Sequence, residues 1–142
     1  MDNKIRILLD KDDKVAYKTL IELEKELSES NNFYNYFNEF LNMLTNDKTF
    51  VRVRGFRLIC ACAKWDSNNK INNNIDLILN ELDDDTSTSV RQCLDKVNLM
   101  LLYKPELSTI IELKLKQLDL SKYKESMQSL IKKDIDLIIK RI

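Results

Sequence analysis

The chain has 142 residues, 44% hydrophobic and 32% charged, and its 23 basic and 23 acidic side chains cancel. That is enough chain for one domain with a continuous buried core. It excludes a disordered tail and any global field that would pull the protein onto nucleic acid or a bilayer. With one glycine, one proline and no histidine, hairpin turns, glycine-rich phosphate loops and Ser-His or Cys-His catalysis are excluded as well.

The opening MDNKIRILLDKDDK meets acids early and has no signal-peptide apolar core. Later apolar runs are far too short to span a bilayer, so the expected location is cytoplasmic, with no membrane partner. A short first helix closes at Leu8 before a polar break at 10–13. Ala16, Leu20, Leu23 and Leu27 then fall at i, i+4, i+7 and i+11, the stripe of one helix face. After a break at 28–32, Phe33, Phe37, Phe40 and Leu44 repeat the spacing, and after 46–49 so do Val51, Gly55, Leu58 and Cys62. Ile71, Ile75, Ile78 and Leu82 form the next stripe, bounded by breaks at 66–70 and 83–89. Pro105 follows the break at 103–104 and suits a first helical turn, where its missing N–H is not needed. Beyond 119–121 the final stripe is Ile131, Ile135, Ile138 and Ile142. The expected fold class is all-α, with about eight helices.

The stripes have a longer rhythm. Leu8, Leu44, Leu82 and Leu118 each close a helix before a polar break, at separations of 36, 38 and 36 residues, and Val15, Val51 and Val90 open the helices that follow the first three. Such a period marks stacked helix pairs, each too small to bury its own apolar face. The pairs fall at approximately 1–29, 30–66, 67–103 and 104–142, within a single domain.

Two of these units carry a helix, an Asp-containing turn and then Val-Arg: Asp47 with Val51-Arg52, and Asp84 or Asp85 with Val90-Arg91. In this the chain resembles HEAT or armadillo-type repeats. The resemblance implies a right-handed α-α superhelix of about four helix pairs. It also implies that Asp47, Arg52, Asp85 and Arg91 tie neighbouring repeats together. The first unit departs from the pattern, with Ala16 where Arg would stand, and the fourth has no Val-Arg. In such a fold the second helices, taken as 14–27, 50–66, 90–101 and 122–142, line the concave face. They hold 15 basic and 8 acidic residues, which leaves the rest of the chain net negative.

Residues 47–66, DKTFVRVRGFRLICACAKWD, concentrate the candidate chemistry. Cys60 and Cys62 point about 200° apart on a helix and cannot chelate one ion, and Cys93 alone does not complete a zinc site. All three are read as buried thiols, and no cofactor or metal is expected. Gly55 is read as a close helix contact and Trp65 as the edge of the core. The acidic run Asp83-Asp84-Asp85 precedes Thr-Ser-Thr-Ser, which suits a helix N-terminus, and it lacks the alternation and glycine of an EF-hand. Arg54, Arg57 and Lys64 share a stripe away from Val51 and Leu58. With Lys96 on the next second helix they are the candidate partner-binding residues.

The expected function is a non-catalytic scaffold that holds a protein partner, in particular an acidic segment, on its concave face. The alternative is nucleic-acid binding or repair, since DNA alkylation-repair glycosylases use a HEAT-like scaffold with a basic groove. Against it, this chain has one tryptophan with only Asp66 beside it. Its cations are also interleaved with Glu22, Glu24, Asp95, Asp134 and Asp136, so phosphate binding would be weak and lost with salt. The aromatic-rich NNFYNYFNEF and the closing DIDLIIKRI offer surfaces for self-association through the terminal helices.

Overall fold

The polar breaks become capped turns. The Asp2 carboxylate accepts from Lys4 N at 2.7 Å, and Asp12 accepts from Lys14 N and Val15 N at 3.0 and 3.4 Å, satisfying donors that a helix N-terminus leaves open. In the computed structural model, which describes residues 2–142, nine α-helices follow and no strand occurs among the described residues. They are α1 (Asn3–Ile7), α2 (Asp13–Glu29), α3 (Phe37–Met43), α4 (Thr49–Cys62), α5 (Lys70–Asn73), α6 (Ile75–Leu79), α7 (Ser87–Tyr103), α8 (Ser108–Gln117) and α9 (Glu125–Arg141). Short 3-10 turns lead into α3 and α8 and extend α4 and α6.

The long helices α2, α4, α7 and α9 occupy the places that the periodicity assigns to the second member of each pair. The first members are less regular. The stripe from Ile71 to Leu82 is split, because Asn74 takes φ −121° between α5 and α6. That split makes nine helices where the spacing suggests about eight. Helix α4 lies between α2 and α7, α7 packs on α9, and α1 and α3 pack on α2 and α4. One apolar core runs through all of them, from Ile5 and Leu8 to Ile135 and Ile138.

Helix α4 sits deepest. Every residue from Val53 to Cys60 is buried, polar ones included. Gly55 marks where α3 comes closest: a Cβ there would lie 2.7 Å from Phe40 O and 2.7 Å from Met43 Cβ. The thiols of Cys60, Cys62 and Cys93 are free and buried, and burial pushes each well above the ordinary thiol range. Because the thiolate is the nucleophile, the native protein is expected to leave a thiol reagent such as DTNB unconsumed until denaturant is added. Rapid reaction of even one thiol in native buffer would contradict this burial.

Arg52 and Arg91 reach to carboxylates further along the chain. Arg52 Nη2 lies 2.8 Å from Asp84 Oδ2, its Nε lies 3.2 Å from Glu81 Oε1, and its Nη1 donates to the carbonyls of Asn46 and Asp47. Arg91 Nε binds Asp134 Oδ2 of α9 at 2.7 Å. The carboxylate facing Arg52 is therefore Asp84, while Asp85 projects almost wholly into solvent and Asp47 takes part through its carbonyl.

Glu81 and Asp84 crowd together under Arg52 and divide one proton. Burial, and a hydrogen bond to Asp84, push the Glu81 carboxyl up to about 8. Burial also works against the charge on Asp84, but hydrogen bonds from Glu81, Arg52 and Thr86 N outweigh it and hold that group below its ordinary value. A folded state that holds the Glu81 proton more tightly than the unfolded chain loses stability as pH rises from about 4.5 to about 8, and no further above that. Glu81→Gln, which offers an N–H to Asp84 at every pH, is expected to flatten this slope. At pH 8.5 and above it should raise stability by about 1–3 kcal/mol, the cost of an unsatisfied buried polar group. Urea melts across that range check it, and an unchanged slope in the variant would assign the titration elsewhere.

Candidate interaction surface

The candidate residues on α4 lie at the centre of the layer formed by α2, α4, α7 and α9. Arg54 is only 4% exposed. Its Nη1 donates to the Leu8 carbonyl at 2.8 Å, covering an acceptor left open at the end of α1, and its Nη2 binds Asp13 Oδ1 at 2.7 Å. Arg57 is 6% exposed. It grips Glu24 of α2 with two bonds of 3.0 and 2.8 Å, donates to Gln92 of α7 at 3.0 Å, and stacks over the Tyr17 ring. Burial disfavours the charge on Arg57, yet Glu24 overrides this and its pKa ends above the usual value. Lys96 lies 3.6 Å from the same Glu24. Lys64 is exposed, donates to the Ser28 carbonyl at 2.8 Å and covers the Trp65 ring.

Three of these four cations meet carboxylates. Arg57, Glu24, Lys96 and Gln92 form a closed polar cluster that ties α2, α4 and α7 together. A buried, bidentate arginine pair of this kind locates the helices with respect to each other. It leaves little uncompensated charge for a phosphate or for a partner's acid.

The layer also exposes apolar side chains. Tyr17 and Ile21 of α2, Phe50 of α4, Leu102 and Tyr103 of α7, and Leu130 and Leu137 of α9 all stand between 39% and 66% exposed. Between α2 and α4 a cleft of about 280 Å³ is lined by Tyr17, Leu20, Phe50 and Val53, with Lys14 and the Asp13–Arg54 pair at its rim. Between α7 and α9 a second cleft of about 420 Å³ runs from the Arg91–Asp134 pair past Leu94 and Leu137 to Asn98 and Arg141. Gln92 of α7 lines both. Periodicity alone missed this surface, because exposed apolar residues scattered over four helices look like ordinary surface until the helices are side by side. The signal was present in Tyr17 and Phe50, which fall off the core stripes of their helices.

Ionisable groups elsewhere serve the fold. The Asp66 side chain is wholly buried and accepts from Tyr34 Oη, Lys70 N and Ile71 N, with Lys104 Nζ 3.1 Å away. Burial pushes Tyr34 far above the phenolic range, reinforced by its bond to Asp66. Among the described residues, no group of three or more His, Cys, Asp or Glu side chains is arranged to hold a metal ion, and no helix is long and apolar enough to cross a membrane. Comparison of the chain with family models, with curated proteins and with solved structures finds no significant match.

Proposed function

We propose that this chain is a non-catalytic helical-repeat module, stacked in the manner of HEAT repeats, that receives a segment of a protein partner on the exposed side of α2, α4, α7 and α9. The observation that carries this reading is the pair of clefts that share Gln92, one lined by the exposed aromatic residues Tyr17 and Phe50 and the other by Leu94 and Leu137. Aromatic side chains beside a pocket are the usual anchors of protein interfaces, because they bury much area for little lost rotamer freedom. The cytoplasmic, cofactor-free assignment made from the sequence belongs to the same proposal.

Neutralised arginines weigh against nucleic acid as the ligand. Phosphate binding gains from several uncompensated cations acting together, and Arg54, Arg57 and Lys96 already face Asp13 and Glu24. A preference for acidic partners survives in a different set of residues. On the four long helices and their caps, Lys14, Lys18, Lys25, Lys48, Lys64, Lys124, Lys133 and Lys140 have no carboxylate within 4.0 Å among the described residues.

Site-specific photo-crosslinking tests the reading. With benzoylphenylalanine in place of Tyr17 or Phe50, the protein is expected to trap a discrete partner in its native lysate. The same probe at Leu113, exposed on α8, should not. Equal adducts from both positions, or none at Tyr17 and Phe50, would remove the proposal.

A further inference from the structure

The outer side of α9 carries a regular seam. Leu130, Lys133, Leu137 and Lys140 are spaced three, four and three residues apart, so a leucine row and a lysine row run side by side along the helix. Residues seven apart lie about 10.5 Å apart along the axis. All four are exposed, Leu130 by 39% and Leu137 by 48%, while Ile131, Ile135 and Ile138 face the core. The helix packs on α7, and its opposite side borders a shallow depression of about 740 Å³ lined by Ser129, Lys132, Lys133, Asp136, Leu137 and Lys140, among others.

The charges on this seam are not cancelled from within. Asp134 is held by Arg91 and Asp136 lies 3.3 Å from Lys132. Lys133 and Lys140 have no carboxylate within 4.0 Å among the described residues. The result is a heptad-type surface with leucine at one position and free lysine at the other.

We propose that this seam docks an acidic amphipathic helix of a partner protein. The partner's leucine or isoleucine residues would pack on Leu130 and Leu137, and its glutamates or aspartates would face Lys133 and Lys140. The proposal rests on the interaction-module reading and adds a place of contact beyond the clefts, on the outer side of α9, which Leu137 joins to the cleft between α7 and α9. Charge selects this occupant. A second copy of α9 laid parallel sets the lysine rows against each other, and laid antiparallel it presses each lysine onto leucine without a carboxylate. An anionic bilayer would attract the lysines, but two leucines provide little area to insert.

The test uses the full chain and a fluorescent three-heptad peptide with leucine and glutamate alternating along its seam, read by anisotropy at low and high salt. Binding is expected, weakened by salt, and weakened about tenfold or more by K133E/K140E, as for charges that face each other across an interface. A peptide with lysine in place of glutamate should restore binding to that variant and fail on the wild type. All four positions are exposed, so the variants should melt as the wild type does. Wild-type affinity in K133E/K140E and in L130S/L137S overturns the assignment. If binding is lost in Y17A/F50A instead, the seam is wrong and the module reading stands. If no form of the protein binds either peptide and crosslinking at Tyr17 and Phe50 is blank, both fall. A dimer in light scattering that K133E/K140E abolishes, or binding to phosphatidylserine vesicles in preference to the peptide, overturns the proposed partner.

Discussion

Lys104→Met is expected to destabilise the protein by about 3–5 kcal/mol in urea unfolding, the range seen when one half of a buried ion pair is removed. Lys104 Nζ donates to the Asp66 carbonyl and to Asn69 Oδ1, both at 2.7 Å, and lies 3.1 Å from Asp66 Oδ2. Its side chain is 6% exposed and that of Asp66 is 0% exposed. Methionine fills similar volume but leaves a carboxylate, a carbonyl and an amide oxygen without their donor. The damage is not local. The cluster joins the entry to α3 through Tyr34, the end of α4 through Asp66, the start of α5 through Ile71 N and the end of α7. It also fixes Asn69 in the left-handed conformation, φ 57°, that turns the chain from α4 into α5.

The pH dependence of this loss carries the signature of the pair. Burial raises the energy of the Asp66 carboxylate, but bonds from Tyr34, Ile71 N and Lys104 outweigh that and hold it below its ordinary 3.8. A carboxyl with a depressed pKa contributes stability above its unfolded pKa and loses it as pH falls through its folded one. The gap between wild type and Lys104→Met should therefore narrow as pH drops below about 3.8. Adding Asp66→Asn to Lys104→Met should cost much less than Asp66→Asn alone, because the two residues share one interaction. A loss under about 1 kcal/mol for Lys104→Met, the worth of an exposed pair, would show that the cluster is not holding the turn.

The second large effect is at Gly55. Helix propensity alone favours alanine there by up to about 1 kcal/mol. The structure reverses the sign, because the new Cβ would meet Phe40 O and Met43 Cβ at 2.7 Å. Neither contact is the far end of a flexible side chain, so α3 or α4 must shift. Overpacking of this kind typically costs about 1–3 kcal/mol and more for larger groups. Gly55→Ala is expected to lower Tm despite its propensity gain, and Gly55→Leu to lower it much further. A Gly55→Ala variant as stable as wild type would mean that α3 and α4 are not held this close.

Arg54 shows how far periodicity could reach. Its stripe with Arg57 and Lys64 is read as facing away from the core, yet Arg54 itself stands three residues after Val51 and four before Leu58, beside the core stripe. Helix α4 has α2 on one flank, α7 on the other and α3 behind, so almost no side of it stays wet. A hint was present in the helix itself: from Val53 to Ala63 its only charged residues are the two arginines, too few for a solvated face. Lys104 and Asp66 gave no such hint, since a polar residue in a polar break reads as exposed. The HEAT-like pattern points to Asp47 and to Asp84 or Asp85, and the carboxylates that face Arg52 are those of Asp84 and Glu81. A one-residue difference in a turn decides which carboxylate points inward.

By itself, the sequence determined that the chain is helical and where its long helices run. Those are properties of spacing, and spacing is local. Which charges remain free was decided only by the tertiary structure. Arg57 meets Glu24 across 33 residues of chain and Arg54 meets the Leu8 carbonyl across 46. A stripe tells on which side of its own helix a side chain lies, but not what stands opposite. Once helices are brought together, a buried cation must find a partner or be expelled. The arginines of the central helix found theirs inside the fold, and the lysines of the last helix did not.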